Sequence, residues 1–185
     1  MADEMILWTD TETTGLTPWE GHKLLQVAAV ITDTDLNVVS DEFERVVFYD
    51  QDEAARLRDA VAGDFVREMH SKTGLWDRLP DGTPIGQVDD ELFAFVSEFA
   101  PQPKQARLAG NSIRLDLNFS EFGLPRTYAH LHYRSIDVSA LAYVTETWGL
   151  TPGHFEKKKS HDALDDIRES IAELRWIKDH LMGDR

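Results

Sequence analysis

Two acids one residue apart, Asp10 and Glu12, lie in the stretch Ile6-Leu7-Trp8-Thr9-Asp10-Thr11-Glu12-Thr13-Thr14-Gly15-Leu16. Apolar and β-branched residues lead into them, and the pattern predicts a central strand that breaks off at Gly15. Side chains alternate along a strand, so both carboxylates would point to one face. Side by side they repel, which is costly without a cation. Hard divalent cations take oxygen ligands, so Mg²⁺ or Mn²⁺ is the natural partner. A solvated strand end with two ordinary acids gives the same short pattern, so the other acids decide.

A second cluster opens the last helix: Ser160-His161-Asp162-Ala163-Leu164-Asp165-Asp166-Ile167-Arg168-Glu169-Ser170. Its apolar stripe is Leu164, Ile167, Ile171, Leu174, Ile177 and Leu181. At about 100° per residue, Asp165 points nearly opposite the stripe and Asp166 lies roughly 90° from its centre. Asp166 is therefore the acid placed to reach inward, with His161 at the helix start or in the loop before it. Acids in a first turn also suit the helix N-terminus alone. A third cluster runs from Gly110 through Asn111, Ser112 and Ile113 to Asp116. Gly110 permits a close approach, Asn111 and Ser112 offer caps or phosphate donors, and Asp116 sits about one turn into a helix. A capped helix with one exposed acid is the plain alternative.

The elements that must position these residues follow from pattern. Residues 23–32 and a stretch within 38–49 read as second and third strands, which suggests an antiparallel meander. Residues 52–70 read as helical, divided at Gly63. Residues 87–100 carry Val88, Leu92, Phe95, Val96 and Phe99 at helical spacing. Residues 107–110 suit a buried strand and 115–122 a helix. Residues 135–138 suit a fifth strand, 139–148 a helix, and 160–181 a long final helix. The expectation is an α/β chain with a mixed five-stranded sheet flanked by helices, forming one domain over residues 1–185.

The net charge of −15, from 34 acids against 19 bases, argues against wrapping a long duplex. It allows a short substrate held by metal ions and a few local cations. No apolar run reaches the ~18 residues of a membrane span. The start Met1-Ala2-Asp3-Glu4 lacks the pattern of a signal peptide, and the chain has no cysteine. The expected location is cytoplasmic.

Taken together, Asp10-x-Glu12, Asp116 after Gly110-Asn111-Ser112-Ile113, and His161-x4-Asp166 match the DEDDh exonucleases in order and spacing. Those are 3′-to-5′ exonucleases with a ribonuclease-H-like fold. Within that group the chain resembles the oligoribonucleases over nearly its whole length. The specific stretches are Gly110 to Ile113, His132-Tyr133-Arg134 followed by Asp137-Val138-Ser139, and Asp165 to Leu174.

The resemblance implies that Asp10, Glu12, Asp116 and Asp166 hold two divalent ions, Asp10 bridging them, and that His161 is the general base. It implies short single-stranded RNA, above all dinucleotides, as substrate, cut to nucleoside 5′-monophosphates. Leu16 would wedge between two bases. Phe65 and His70 would lie near the substrate, and Ser112, beside Asn111, would contact a phosphate. In a homodimer, Tyr133, Arg134 and Ser139 would come from the partner subunit and cap the 5′ end. The segment DTETTGL is closer to proofreading exonuclease subunits. Gln26 stands where many relatives have Glu, and Phe65 where Trp is usual. A broader exonuclease on single-stranded DNA or RNA therefore stays open, as does an inactive binding module, which loss of a metal carboxylate would support.

Overall fold

The computed structural model describes residues 4–61, 63–157 and 162–183. The strands are β1 (Met5–Thr13), β2 (Leu24–Thr32), β3 (Phe43–Val46), β4 (Ala106–Gly110) and β5 (Ile136–Asp137). The helices are α1 (Gln51–Ala60), α2 (Asp64–Lys72), α3 (Leu75–Arg78), α4 (Ile85–Phe99), α5 (Arg114–Gly123), α6 (Pro125–His130), α7 (Val138–Thr147) and α8 (Ala163–Met182). The strands form one mixed sheet in the order β3-β2-β1-β4-β5. β1 runs antiparallel to β2 and parallel to β4, and β2 pairs antiparallel with β3. The expected meander and mixed sheet are therefore present, with β1 at the centre.

Alternation along β1 divides the core. Leu7 packs with Val88, Leu92 and Val96 of α4 and Phe119 of α5. Ile6 and Trp8 point the other way, onto Ile167, Ile171 and Ile177 of α8 and Val138 of α7. Burying a side chain of this size stabilises the fold by roughly 1.5–3 kcal/mol. Trp8 is fully buried, and its indole N–H donates to Thr32 Oγ1 at 2.9 Å, so no polar group is stranded there. Asp10 and Glu12 continue the Ile6–Trp8 register, which directs them to the side of the sheet that α8 covers.

The structure adds three details to the sequence pattern. β3 occupies Phe43–Val46 within residues 38–49, and Val38 makes only an isolated bridge to Thr32. α6 (Pro125–His130) is an element the sequence pattern does not place. Proline is tolerated at a first helical position. Leu181 falls outside the buried stripe of α8, being 49% exposed near the helix end.

Gly110 ends β4 against β1. A Cβ there would meet the Thr9 carbonyl oxygen at 2.9 Å and Ile113 Cδ1 at 3.0 Å. The backbone oxygen cannot swing aside, so Gly110→Ala must displace β4 or β1 one residue from Asp10. We expect a loss of about 1–3 kcal/mol of stability. Thermal melting checks this, and a midpoint equal to the parent's would contradict the close packing.

Candidate active site

The face of β1 directed at α8 carries Asp10 and Glu12 beside the start of that helix. Asp162 caps α8 by accepting from the Asp165 N–H at 3.1 Å. The neighbouring acids then diverge. Asp165 is held by Arg168 at 2.5 Å, and Arg168 also bonds Glu42. Asp166 instead lies in the field of Asp10 and Glu12. This is the division that the helical wheel predicts.

Asp116 reaches β1 from α5. It is buried and accepts from Thr11 Oγ1 at 2.9 Å. Thr11 lies between Asp10 and Glu12 in sequence and points to the opposite face, so the strand holds acids on one side and anchors a third from the other.

Burial and mutual repulsion disfavour charge on this group. Burial, then Asp166 and Asp162, pushes Asp10 up to about 7. Burial, then Asp10, Asp166 and Asp162, pushes Glu12 up to about 8. Burial and Asp10 raise Asp116 well above its usual range, against the hydrogen bond from Thr11. An all-oxygen set of mutually repelling carboxylates, Asp116 buried and the others half-buried, fits hard divalent cations. Among the described residues no three acidic, histidine or cysteine side chains form a preformed cage for one ion.

A stability prediction follows with a definite sign. Asp10 and Glu12 hold protons more tightly folded than unfolded, so without metal their contribution to stability is lost as pH rises through the folded values. His70, lowered by burial, acts in the opposite sense but only below its ordinary value of 6.5. The metal-free protein should therefore melt lower at pH 8 than at pH 6.5. Divalent cation at about 100 times its Kd should add about 2.7 kcal/mol, raising the midpoint by roughly 5–10 °C, and more at pH 8. Equal shifts at both pH values would contradict the carboxylate origin.

His70 is 1% exposed. Its Nε2 donates to the Thr13 carbonyl at 3.0 Å, and Nδ1 faces Glu12 Oε2 at 3.6 Å. Trp76 packs against its ring edge-on, with centroids 5.3 Å apart. His70 therefore lies behind Glu12. Gln26 stands opposite Glu12 in the sheet. Its amide is used by Arg78 at 2.7 Å and Glu44 at 2.8 Å, so a neutral group occupies the place beside Glu12.

The turn after β4 is tied to both neighbouring helices. Asn111 Oδ1 accepts from Ser139 Oγ at 2.8 Å, and Asn111 Nδ2 donates to Ser170 Oγ at 2.7 Å. Ser112 is exposed, has φ of 52°, and donates its N–H to Ser139 Oγ at 3.1 Å. Ser139 is thus bonded within its own chain. Leu16 and Phe65 are exposed large apolar side chains, at 72% and 69%. Tyr133 is also exposed. It stacks on His132 at 4.6 Å, and the Arg134 guanidinium lies 5.3 Å from its ring centroid. His161 lies outside the described residues, as do Lys158 and Lys159. Lys157 pairs with the buried Glu173 at 2.6 Å. Pattern reading did not single out Thr11, Trp76 or Ser170. Only Ser170 carries a local signal, a serine four residues after Asp166 on one helix.

The chain is similar to known proteins in sequence and in fold. The exonuclease family model (RNase_T) matches residues 7–174. An oligoribonuclease of Nocardia farcinica is 36% identical over 96% of this chain and 81% of its own length. One from Francisella tularensis subsp. holarctica is 37% identical over 98% of both chains. A probable oligoribonuclease of Schizosaccharomyces pombe is 34% identical over 96% of this chain and 69% of its own. Among solved structures, zinc-bound E. coli exonuclease I with single-stranded DNA superposes with a TM-score of 0.69 at 17% identity. Exonuclease I of Methylocaldum szegediense gives 0.68 at 19% identity. The chain covers 40% of each of these two, and the likeness is one of fold. Among the described residues, no helix is long and apolar enough to cross a membrane. The chain belongs to the exonuclease family, among its oligoribonucleases.

Proposed function

We propose that the protein is a divalent-metal-dependent 3′-to-5′ exoribonuclease that cuts short RNAs, above all dinucleotides, to nucleoside 5′-monophosphates. Residues 1–185 would form one exonuclease domain. The observation that carries the reading is the placement of the acids: Asp10 and Glu12 lie on β1, α8 packs on that strand and carries Asp166 in its first turn, and Asp116 of α5 is bonded to Thr11 between the two strand acids. These four would hold two ions, Mg²⁺ or Mn²⁺. Bound there, the ions would acidify a water and offset charge on the leaving 3′ oxygen.

The chain's own residues supply the rest. His161 would take the proton of the attacking water, a role suited to an ordinary imidazole near neutral pH. Thr11 holds Asp116, and the buried His70 backs Glu12. The water's oxygen forms a bond to phosphorus as the bond from phosphorus to the leaving 3′ oxygen breaks. Leu16, exposed just beyond β1, would separate two bases, and Phe65 would stack on one. Ser112, at the N-terminal side of α5, would contact a phosphate. In a homodimer, Tyr133 and Arg134 would close the neighbouring subunit's site at the 5′ end, and Ser139, its hydroxyl proton given to Asn111, would border that site without donating to the substrate. The exposed Tyr133–Arg134 pair suits that contact.

Degradation of a short RNA in oxygen-18 water tests the reaction. The expected products leave from the 3′ end as 5′-monophosphates, each carrying one heavy oxygen. Release from the 5′ end, or 3′-monophosphate products, would overturn the proposal.

A further inference from the structure

The bonds that join Asn111 to α7 and α8 form a single directed chain. The Ser112 N–H donates to Ser139 Oγ, which donates to Asn111 Oδ1. Asn111 Nδ2 donates to Ser170 Oγ, which donates to the Asp166 carbonyl at 2.8 Å. Each hydroxyl has one proton to give, so the direction is fixed from both ends. A backbone N–H can only donate and a carbonyl can only accept. Flipping the Asn111 amide would break two bonds at once. Ser170 is 5% exposed.

We propose that Ser170 and Asn111 are positioning residues for Asp166. The chain clamps α8 at Ser170 to the turn after β4, and the Ser170 hydroxyl, bonded to the carbonyl one turn earlier, fixes the Asp166 backbone from which the carboxylate projects. The Asp166 carbonyl already receives the helical N–H of Ser170, so the serine hydroxyl adds a second, directed bond at the residue that faces Asp10. The Asp166 main chain is tied to the turn after β4 through Ser170 and Asn111. β4 itself is registered on β1, with Ala109 opposite Trp8. The result is a covalent and hydrogen-bonded frame linking the two acids' elements without touching either carboxylate. The inference rests on the proposed ion-binding role of the acids.

The test measures Mn²⁺ binding to the full chain without substrate, well below each variant's melting temperature. Ser170→Ala is expected to weaken binding by about 10-fold or more, the scale seen when groups orienting metal ligands are removed. Ser170→Thr, which keeps the hydroxyl, should restore most of the affinity. Asn111→Ala, in a half-exposed turn, serves where Ser170→Ala does not fold and should give a loss of similar size. The two losses together should be less than additive, because both variants cut one chain. Unchanged Mn²⁺ affinity in Ser170→Ala or Asn111→Ala, with only a lower melting midpoint, would overturn the positioning role. Asp10→Ala separates the two levels. If it weakens Mn²⁺ binding while Ser170→Ala and Asn111→Ala do not, the positioning role alone fails. If Asp10→Ala also binds as the parent does, the ion site fails and the positioning role falls with it.

Discussion

Asp10→Ala is expected to lower metal-dependent cleavage of a short RNA by roughly 10³-fold or more while leaving the protein folded. The loss reflects the several kcal/mol that bound metal supplies to a phosphoryl transition state, at about 1.4 kcal/mol per tenfold in rate. Asp10 is the acid whose field reaches Glu12, Asp116 and Asp166 alike, lying in the environment of all three. Its removal also relieves repulsion within a buried cluster. Metal-free Asp10→Ala should therefore be no less stable than the parent at pH 8. Rate measurements beside metal-free melting curves check both parts. Activity within about tenfold of the parent would remove Asp10 from the proposed ion site.

His161→Ala should lower turnover by roughly 10²–10⁴-fold, the usual range for loss of a general base. Metal affinity should stay near the parent's, because the imidazole is given a proton-transfer role and not a ligand role. The dependence of rate on pH gives the sharper signature. With metal saturating at every pH, so that protonation of Asp10 and Glu12 does not limit the rate, the parent should lose activity toward acid pH and the variant should lack that limb. A variant that keeps both its rate and its acid limb would assign the base to another group.

The parts of the site visible from sequence are those that obey a local period. Strand alternation places Asp10 and Glu12 on one face of β1. Helical periodicity separates Asp166 from Asp165, and the structure assigns the latter to Arg168. What the pattern missed depends on contacts distant in sequence. α6 starts at Pro125 and is capped by Asp89 of α4, which accepts from the Arg126 N–H at 2.8 Å and the Thr127 N–H at 2.9 Å. No local residue announces that cap. The resemblance puts His70 near the substrate, but no local pattern on α2 shows that Trp76 and Thr13 enclose it behind Glu12. Thr11 looks like a strand-former, and its bond to Asp116 spans 105 residues. Ser139 and Asn111 lie within recognisable motifs, but their bonding to each other requires the β4–β5 pairing that places α7 beside the turn.

Chain-length preference tests the central claim most directly. Cleavage rates would be measured for 5′-phosphorylated RNAs from two to seven nucleotides long, with Mg²⁺ or Mn²⁺, beside Asp10→Ala as the blank. Preference for the dinucleotide, absent in the blank, is the predicted result. Equal or faster cutting of the longer RNAs, or of DNA, would contradict the short-RNA claim and move the same carboxylate site to a general exonuclease.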